Sequence, residues 1–451
     1  MSNTAGKPKG WQSYHTVWAV LIFAWMTNYL VRMGLSPVLV PIMREFRLTY
    51  AQAGLLATAF FYAYTFMQLP AGVLGDWIGK KTILVLAPLW WGLMSLGTGL
   101  APSFSLLFLA RFLTGIGQGT YFGNDRPVIA AYTPAEKMGF GQGVSFTGLG
   151  MGMAVGISLA GVIADRWGWR MVFVIFAIPS LLAGAVVWRM IQEPPRTLGI
   201  KLPGWMWLLL VPFPLALLGG LATGQPLLLW SSLLFPTTFL LCLVRQQPGI
   251  RKADLWFTYL AGMAPIYCLW VVGIWAPAMF LEIGVQELSR SSLLSSLLGV
   301  SAVPGLLLMG SASDRLARRG KGRKGLAALI LLGMAVAMLL MGVAVALKAS
   351  PAILAFLVFA AGFCIWGVWA PVFALLAEIT PSPIQGTSFG LHNTINFIGS
   401  LIAPIATGWI KDASGSFAGA CYLAAAVGVA GAMFLFLVHP AFRWAKEAAA
   451  A

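Results

Sequence analysis

Runs of about twenty apolar residues, broken by Pro, Gly and clusters of charge, recur along the whole of this 451-residue chain. A run of that length crosses the hydrocarbon core of a bilayer as a helix, because a helix satisfies its own backbone N–H and C=O groups where water is absent. Fourteen such runs fit the sequence. The first six lie at roughly 16–38, 50–74, 82–101, 105–132, 139–164 and 171–190, and the last six at roughly 255–281, 292–311, 326–347, 351–377, 387–410 and 417–438. Between them, after the break Gln192-Glu-Pro-Pro-Arg196, two shorter runs at about 205–222 and 226–244 read as an inserted hairpin.

Composition excludes the alternative of a water-soluble domain. With 59% hydrophobic and 9% charged residues and a mean hydropathy of +0.85, no polar surface could cover so much apolar mass. The net charge of +16 would suggest nucleic acid in a soluble chain, but here the cations fall mostly in one set of alternate loops. Placing the N-terminus in the cytoplasm puts Lys80, Lys81, Arg251, Lys252 and the cluster Arg315 to Lys324 inside. It leaves only Arg44, Arg47, Arg166, Arg170, Arg290, Lys348 and Lys411 outside. The expected location is therefore the plasma (cell inner) membrane, multi-pass among lipids, with both termini cytoplasmic and no nucleic-acid partner. The inserted stretch must cross an even number of times, since a single crossing would carry Arg315 to Lys324 outside. Cys242, Cys268, Cys364 and Cys421 sit inside apolar runs with no paired spacing and read as small core residues.

A spacing repeat divides the chain further. Gly72-Val-Leu-Gly-Asp76, Gly161-Val-Ile-Ala-Asp165, Gly310-Ser-Ala-Ser-Asp314 and Gly408-Trp-Ile-Lys-Asp412 each end an apolar run. Glycine four residues before aspartate lets two helices approach closely, and the carboxylate can accept from the exposed N–H groups of a following helix start. Asp76 and Asp314 fall inside and Asp165 and Asp412 outside, so each half reads as two inverted three-helix units, the layout of alternating-access transporters. The expected organisation is a cytoplasmic N-terminus (1–14), a six-helix bundle (15–191), a linker with the two-helix hairpin (192–253), a second six-helix bundle (254–439) and a cytoplasmic tail (440–451).

These motifs resemble a known family. Gly72-x-x-x-Asp76-x-x-Gly79-Lys80-Lys81 is similar to the loop between the second and third helices of the major facilitator superfamily. Leu107-x-x-x-Arg111-x-x-x-Gly115-x-Gly117 and the glycines from Gly148 to Gly161 resemble its fourth- and fifth-helix motifs. Tyr29-Leu-Val-Arg32-Met-Gly-Leu35-Ser36, Gly117-Gln118-Gly119 and Asn393-x-x-Asn396 with Pro404-x-x-x-Gly408 resemble the anion:cation symporter group, carriers of hexuronates and related organic anions. The resemblance implies the superfamily's all-α fold of two six-helix bundles; the two additional transmembrane helices read between them depart from the twelve-helix norm of that group, although fourteen-helix branches of the superfamily place extra helices there. The group's usual acids, one just before the first-helix arginine and a glutamate on the fourth helix, are replaced by Val31 and Gln118. The residues implicated in proton coupling are thus missing.

Site candidates follow from the cost of burying charge. Ionisable residues within the runs are Arg32, Arg111, Asp125, Arg126, Glu378 and His392. Three arginines against one fully embedded carboxylate leave a cationic interior suited to a small organic anion, a carboxylate or sugar acid. Arg32 is the expected anion ligand, with Tyr29, Tyr62, Gln118, Tyr267, Trp369, Asn393 and Asn396 completing the pocket. Asp76, Arg111, Asp125, Arg126, Asp314 and His392 are the expected coupling or gating residues. Arg111 reads equally as a structural residue bonded to carbonyls, Asp125 and Arg126, being adjacent, are not expected to pair, and Trp270 and Trp366 read as core. His392 is the expected proton carrier if protons are coupled. Three histidines, no H-E-x-x-H and no clustered acids argue against an enzyme, a metal or a cofactor. The remaining alternatives are an exporter of an amphipathic drug or lipid-like solute and a non-transporting receptor or scaffold on the same fold.

Overall fold

A computed structural model describes residues 11–134, 144, 147–194, 252–319, 322–380 and 385–439, without the side chains of 68–70, 72, 73, 76, 77, 130 and 385–387. The expected inserted hairpin, both chain ends and the Asp76 side chain lie outside the described residues. The rest is all helical: α1 Ser13–Met33, α2 Leu35–Phe46, α3 Tyr50–Ile78, α4 Lys80–Gly99, α5 Phe104–Gly119 and α6 Phe122–Tyr132. These are followed by α7 Thr147–Trp167, α8 Trp169–Met190 and α9 Ala253–Glu282, then by α10 Leu288–Ser295, α11 Leu297–Val300 and α12 Ala302–Arg318. The chain continues with α13 Arg323–Ala346, α14 Pro351–Gly367, α15 Trp369–Ile379, α16 Gln385–Ser414 and α17 Ala418–Leu437. End to end, α1 with α2, α5 with α6, α10 to α12, and α14 with α15 form single rods.

Several runs expected as continuous helices are broken. Three breaks share one feature: Pro37, Pro304 and Pro371 lack the N–H that would bond the carbonyl four residues back, which weakens the helix there. Those carbonyls belong to Met33, Val300 and Gly367, the last residues of α1, α11 and α14. Among the described residues nine rods are long and apolar enough to cross a membrane. The rods that fall short on apolarity, α3, α5–α6 and α16, carry Thr58, Arg111, Gln118, Asp125, His392 and Asn396 in buried positions. Their polarity is turned inward.

Packing follows the repeat. In the first half α1 lies on α7, α3 on α5, and α4 on α8; in the second half the matching partners are α9 on α16, α10–α12 on α14, and α13 on α17. The halves meet where α3 lies on α16 and where α7 lies on α10 and α11. The glycine three residues after the repeat aspartate makes the turn between antiparallel rods: Gly79, Gly168 and Gly415 have φ of +103°, +81° and +73°, a region open to glycine. The third copy has Ala317 at that position.

The repeat aspartates act differently from expectation. Asp412 accepts from the backbone N–H groups of Tyr50 and Ala51 at 2.9 and 2.8 Å, and Asp165 from that of Ser289 at 2.6 Å. Each therefore caps a helix start of the opposite half, where the sequence suggested the next helix in the chain. The reason is the inverted repeat, which brings the loop after one unit against the helix start of its counterpart. Gly408 and Gly161 sit at the same contacts, so a Cβ on Gly408 would strike the Tyr50 carbonyl and one on Gly161 the Ser292 side chain. Asp314 stays within its own half, 3.0 Å from Arg323, which also binds Glu378 at 2.7 Å.

Candidate functional site

Arg32 lies on α1 in the last turn before the break at Gly34, and its side chain is buried among residues of α1, α3 and α5, 1% exposed. Asn28, one turn earlier, accepts from its Nη2 at 3.1 Å, and Gln118 of α5 accepts from its Nε at 3.0 Å. Gln118 is itself held, donating from Nε2 to the Asn28 carbonyl at 2.9 Å. The guanidinium carbon lies 4.5 Å from the Tyr29 ring centre, 5.0 Å from Phe60 and 4.4 Å from Tyr64. Aromatic faces stabilise a cation and exclude water from it. A planar guanidinium in such a setting suits a carboxylate or another flat oxyanion.

Across the seam the second half presents polar atoms of its own. Phe61 of α3 packs on Trp270 of α9 at 4.2 Å, and Tyr64 on Phe397 of α16 at 5.1 Å. Beside these contacts Tyr267 Oη, Trp270 Nε1, Asn396 Oδ1 and both ring nitrogens of His392 are buried with no hydrogen-bond partner among the described residues. Asn28 Nδ2 on the first half is in the same condition. Buried polar atoms without partners are costly, and these make the second half's side of the candidate site polar.

His392 and Asn396, one turn apart on α16, face Gly262 of α9, where a Cβ would collide with both. The His392 ring is boxed by Tyr259, Trp369 and Phe373 at 6.0, 6.2 and 5.7 Å. Asn393 is half-buried on the same helix. Trp270, expected as plain core, thus borders the site with an orphaned N–H, whereas Trp366 is core, donating to the Leu298 carbonyl.

Other expected residues fall elsewhere. Tyr62 packs against Phe112 and Ala63 in a satellite cluster, while Tyr64, Phe60 and Asn28, which sequence reasoning missed, touch Arg32. The spacing held a signal: Gly115 and Gly119 of α5, one turn apart, meet the carbonyls of Phe60 and Tyr64. Arg111 donates from Nη1 to the Val31 carbonyl at 3.3 Å and lies over Phe60 and Phe173. Its structural reading thereby gains a defined partner, the backbone beside Arg32. Asp125 and Arg126 do pair: the long arginine folds back so that Nε and Nη2 donate to the two carboxylate oxygens at 3.1 and 2.6 Å. Trp25 Nε1 donates to the same carboxylate at 2.7 Å.

The known proteins that this chain is similar to are named as transporters. The chain is 24% identical over 444 residues to a probable sulfoacetate transporter, SauU, of Cupriavidus necator, covering 94% of each. It is 26% identical to a hexuronate transporter of Bacillus subtilis, covering 91% of this chain and 90% of that one. A probable L-galactonate transporter of Escherichia coli is also 26% identical, at 94% and 89% coverage. Among solved structures, an inward-facing, occupied bacterial homologue of the human lysosomal transporter Spinster superposes with a TM-score of 0.74 at 18% identity, covering 95% and 97%. A D-xylose–proton symporter gives 0.69 at 19% identity. These names are those of transporters and not of enzymes, and they agree with the resemblance to the anion:cation symporter group. The family model matches residues 21–322 and 255–451, and the chain belongs to the Major Facilitator Superfamily.

Proposed function

We propose that the protein is a secondary transporter of a small organic anion of the carboxylate or sugar-acid class, working by alternating access. The observation that carries this reading is Arg32: a buried guanidinium held by neutral amides and ringed by aromatics, in a molecule whose second half buries polar atoms that have no partner among the described residues. The substrate carboxylate takes the guanidinium fork, and its hydroxyls take Asn396, His392, Tyr267 and Trp270. Asp412 and Asp165 latch the halves at one end of the rods through reversible hydrogen bonds, which supports a carrier that opens there in its other state. In the proposed topology the inserted hairpin brings the count to fourteen crossings, both termini are cytoplasmic, and the latched end faces outward. Asp76, at the opposite end, is proposed as the counterpart gate residue.

The testing experiment is uptake of labelled hexuronate and aldonate by reconstituted liposomes, competed by unlabelled sugar acids and by neutral sugars. Competition by the acids alone supports the reading, and competition by neutral sugars alone contradicts it.

A further inference from the structure

The Arg32 and Arg111 guanidiniums both lie against the Phe60 ring, at 5.0 and 5.3 Å. The hydrogen bonds they make go to uncharged oxygens, those of Gln118, Asn28 and the Val31 backbone. Among the described side chains the embedded and seam carboxylates are committed elsewhere: Asp125 to Arg126 and Trp25, Glu378 to Arg323, Glu282 to Lys411, Glu45 to Arg170, Asp165 and Asp412 to helix starts. Asp76 stands twelve residues beyond Tyr64 on α3, about 18 Å along the axis. Facing Arg32 from its neighbours are the phenols of Tyr29 and Tyr64 and the Arg111 guanidinium, with the closed Asp125–Arg126 pair on α6 further along.

A carrier must pass through a state closed at both ends, where water no longer reaches the site. An uncompensated buried charge is costly there, and a paired one much less so. A carboxylate built into the site would pair with Arg32 in the empty carrier and release it to substrate by taking a proton. Gln118 Oε1 occupies that place 3.0 Å from Nε and cannot do either. His392 does not substitute for such an acid, because a proton on its ring adds positive charge to a site already in surplus. Its neighbours Tyr259, Trp369, Phe373 and Asn396 offer no charge to balance it.

We infer that the protein is an obligate anion exchanger: its halves cross between open states with an anion seated on Arg32 and are held back when the site is empty. This rests on the transporter reading above and goes beyond it. A released anion must be replaced by another before the carrier returns, so flux runs one anion for one anion and needs no proton.

The test uses the full chain in liposomes with the membrane potential clamped and labelled D-glucuronate outside. One batch holds unlabelled glucuronate and the other an equal osmolarity of sucrose. Exchange is expected to exceed net uptake by about tenfold or more, the ratio for an added barrier of about 1.4 kcal/mol, and to be indifferent to a pH gradient. Equal rates in the two batches would overturn exchange and leave the transporter reading intact, whereas uptake in neither batch would remove both. Gln118→Glu supplies the missing carboxylate and is expected to gain net, acid-stimulated uptake into sucrose-loaded liposomes. A Gln118→Glu carrier that still exchanges but gains no net uptake would also overturn the inference.

Discussion

Replacing Asp412 by Ala removes two hydrogen bonds that the carboxylate accepts from the first turn of α3, at 2.9 and 2.8 Å. Hydrogen bonds to a charged acceptor contribute about 1.5–3 kcal/mol each when buried, and a charge at a helix N-terminus about 0.3–1 kcal/mol at the surface. Asp412 is solvent-exposed, so the pair is placed near the low end, about 1–2 kcal/mol in all after screening. Nothing else in α3's first turn is lost, because Thr49 caps it independently through Gln52. In the proposed alternating-access cycle the bonds join the halves only while this end is closed, so their removal should shift the balance toward the state open there by about 5–30-fold. Thr58, 5% exposed, lies below the latch and donates to the Leu401 carbonyl across the seam. The rate at which Thr58→Cys is alkylated by a membrane-impermeant maleimide therefore reports the open fraction. Asp412→Ala should raise that rate by the same factor, and an unchanged rate would refute the latch.

Three further outcomes are expected. Gly408→Val drives a side chain into the Tyr50 carbonyl, so it should hold the latched end open, raise Thr58→Cys labelling and cut transport; normal transport would show that this approach is not needed. His392→Gln should weaken hexuronate binding about fivefold, through one lost hydrogen bond, and leave exchange insensitive to pH; loss of a pH-driven accumulation would instead restore the histidine as proton carrier. Cysteine at Gln225 should be labelled from outside the cell if the inserted stretch crosses twice, and labelling from the cytoplasm alone would make it a re-entrant or surface hairpin.

The rods and their repeat were legible because both are written in spacing: twenty-residue apolar runs set by bilayer thickness, and Gly-x-x-x-Asp with a glycine three residues on at the turn. The breaks at Met33, Val300 and Gly367 lie four residues before prolines, but Pro88, Pro179, Pro265 and Pro404 sit inside unbroken helices, so proline alone does not mark them. Arg32 stood out as an isolated charge within an apolar run, and the structure buries it. Its neighbours were not, because periodicity says which residues share a helix face and not which face meets the site. Hence Tyr62 was expected and Tyr64 found, with the α5 glycines deciding the helix rotation. The partners of Asp412 and Asp165 are 362 and 124 residues away in the chain, a pairing that only the packing of the two halves creates. The Asp125–Arg126 pair shows the opposite failure, since backbone direction does not limit a side chain as long as arginine.

The account turns on Arg32 as the seat of the anion, and equilibrium binding of labelled D-glucuronate to purified wild type and Arg32→Gln tests it most directly. The substitution keeps a polar side chain near Asn28 and Gln118 but removes the charge and the fork, two charge-assisted hydrogen bonds together contributing about 3 kcal/mol or more. The account predicts affinity lowered by about 100-fold or more in a variant that still folds, and affinity within about threefold of wild type would contradict it.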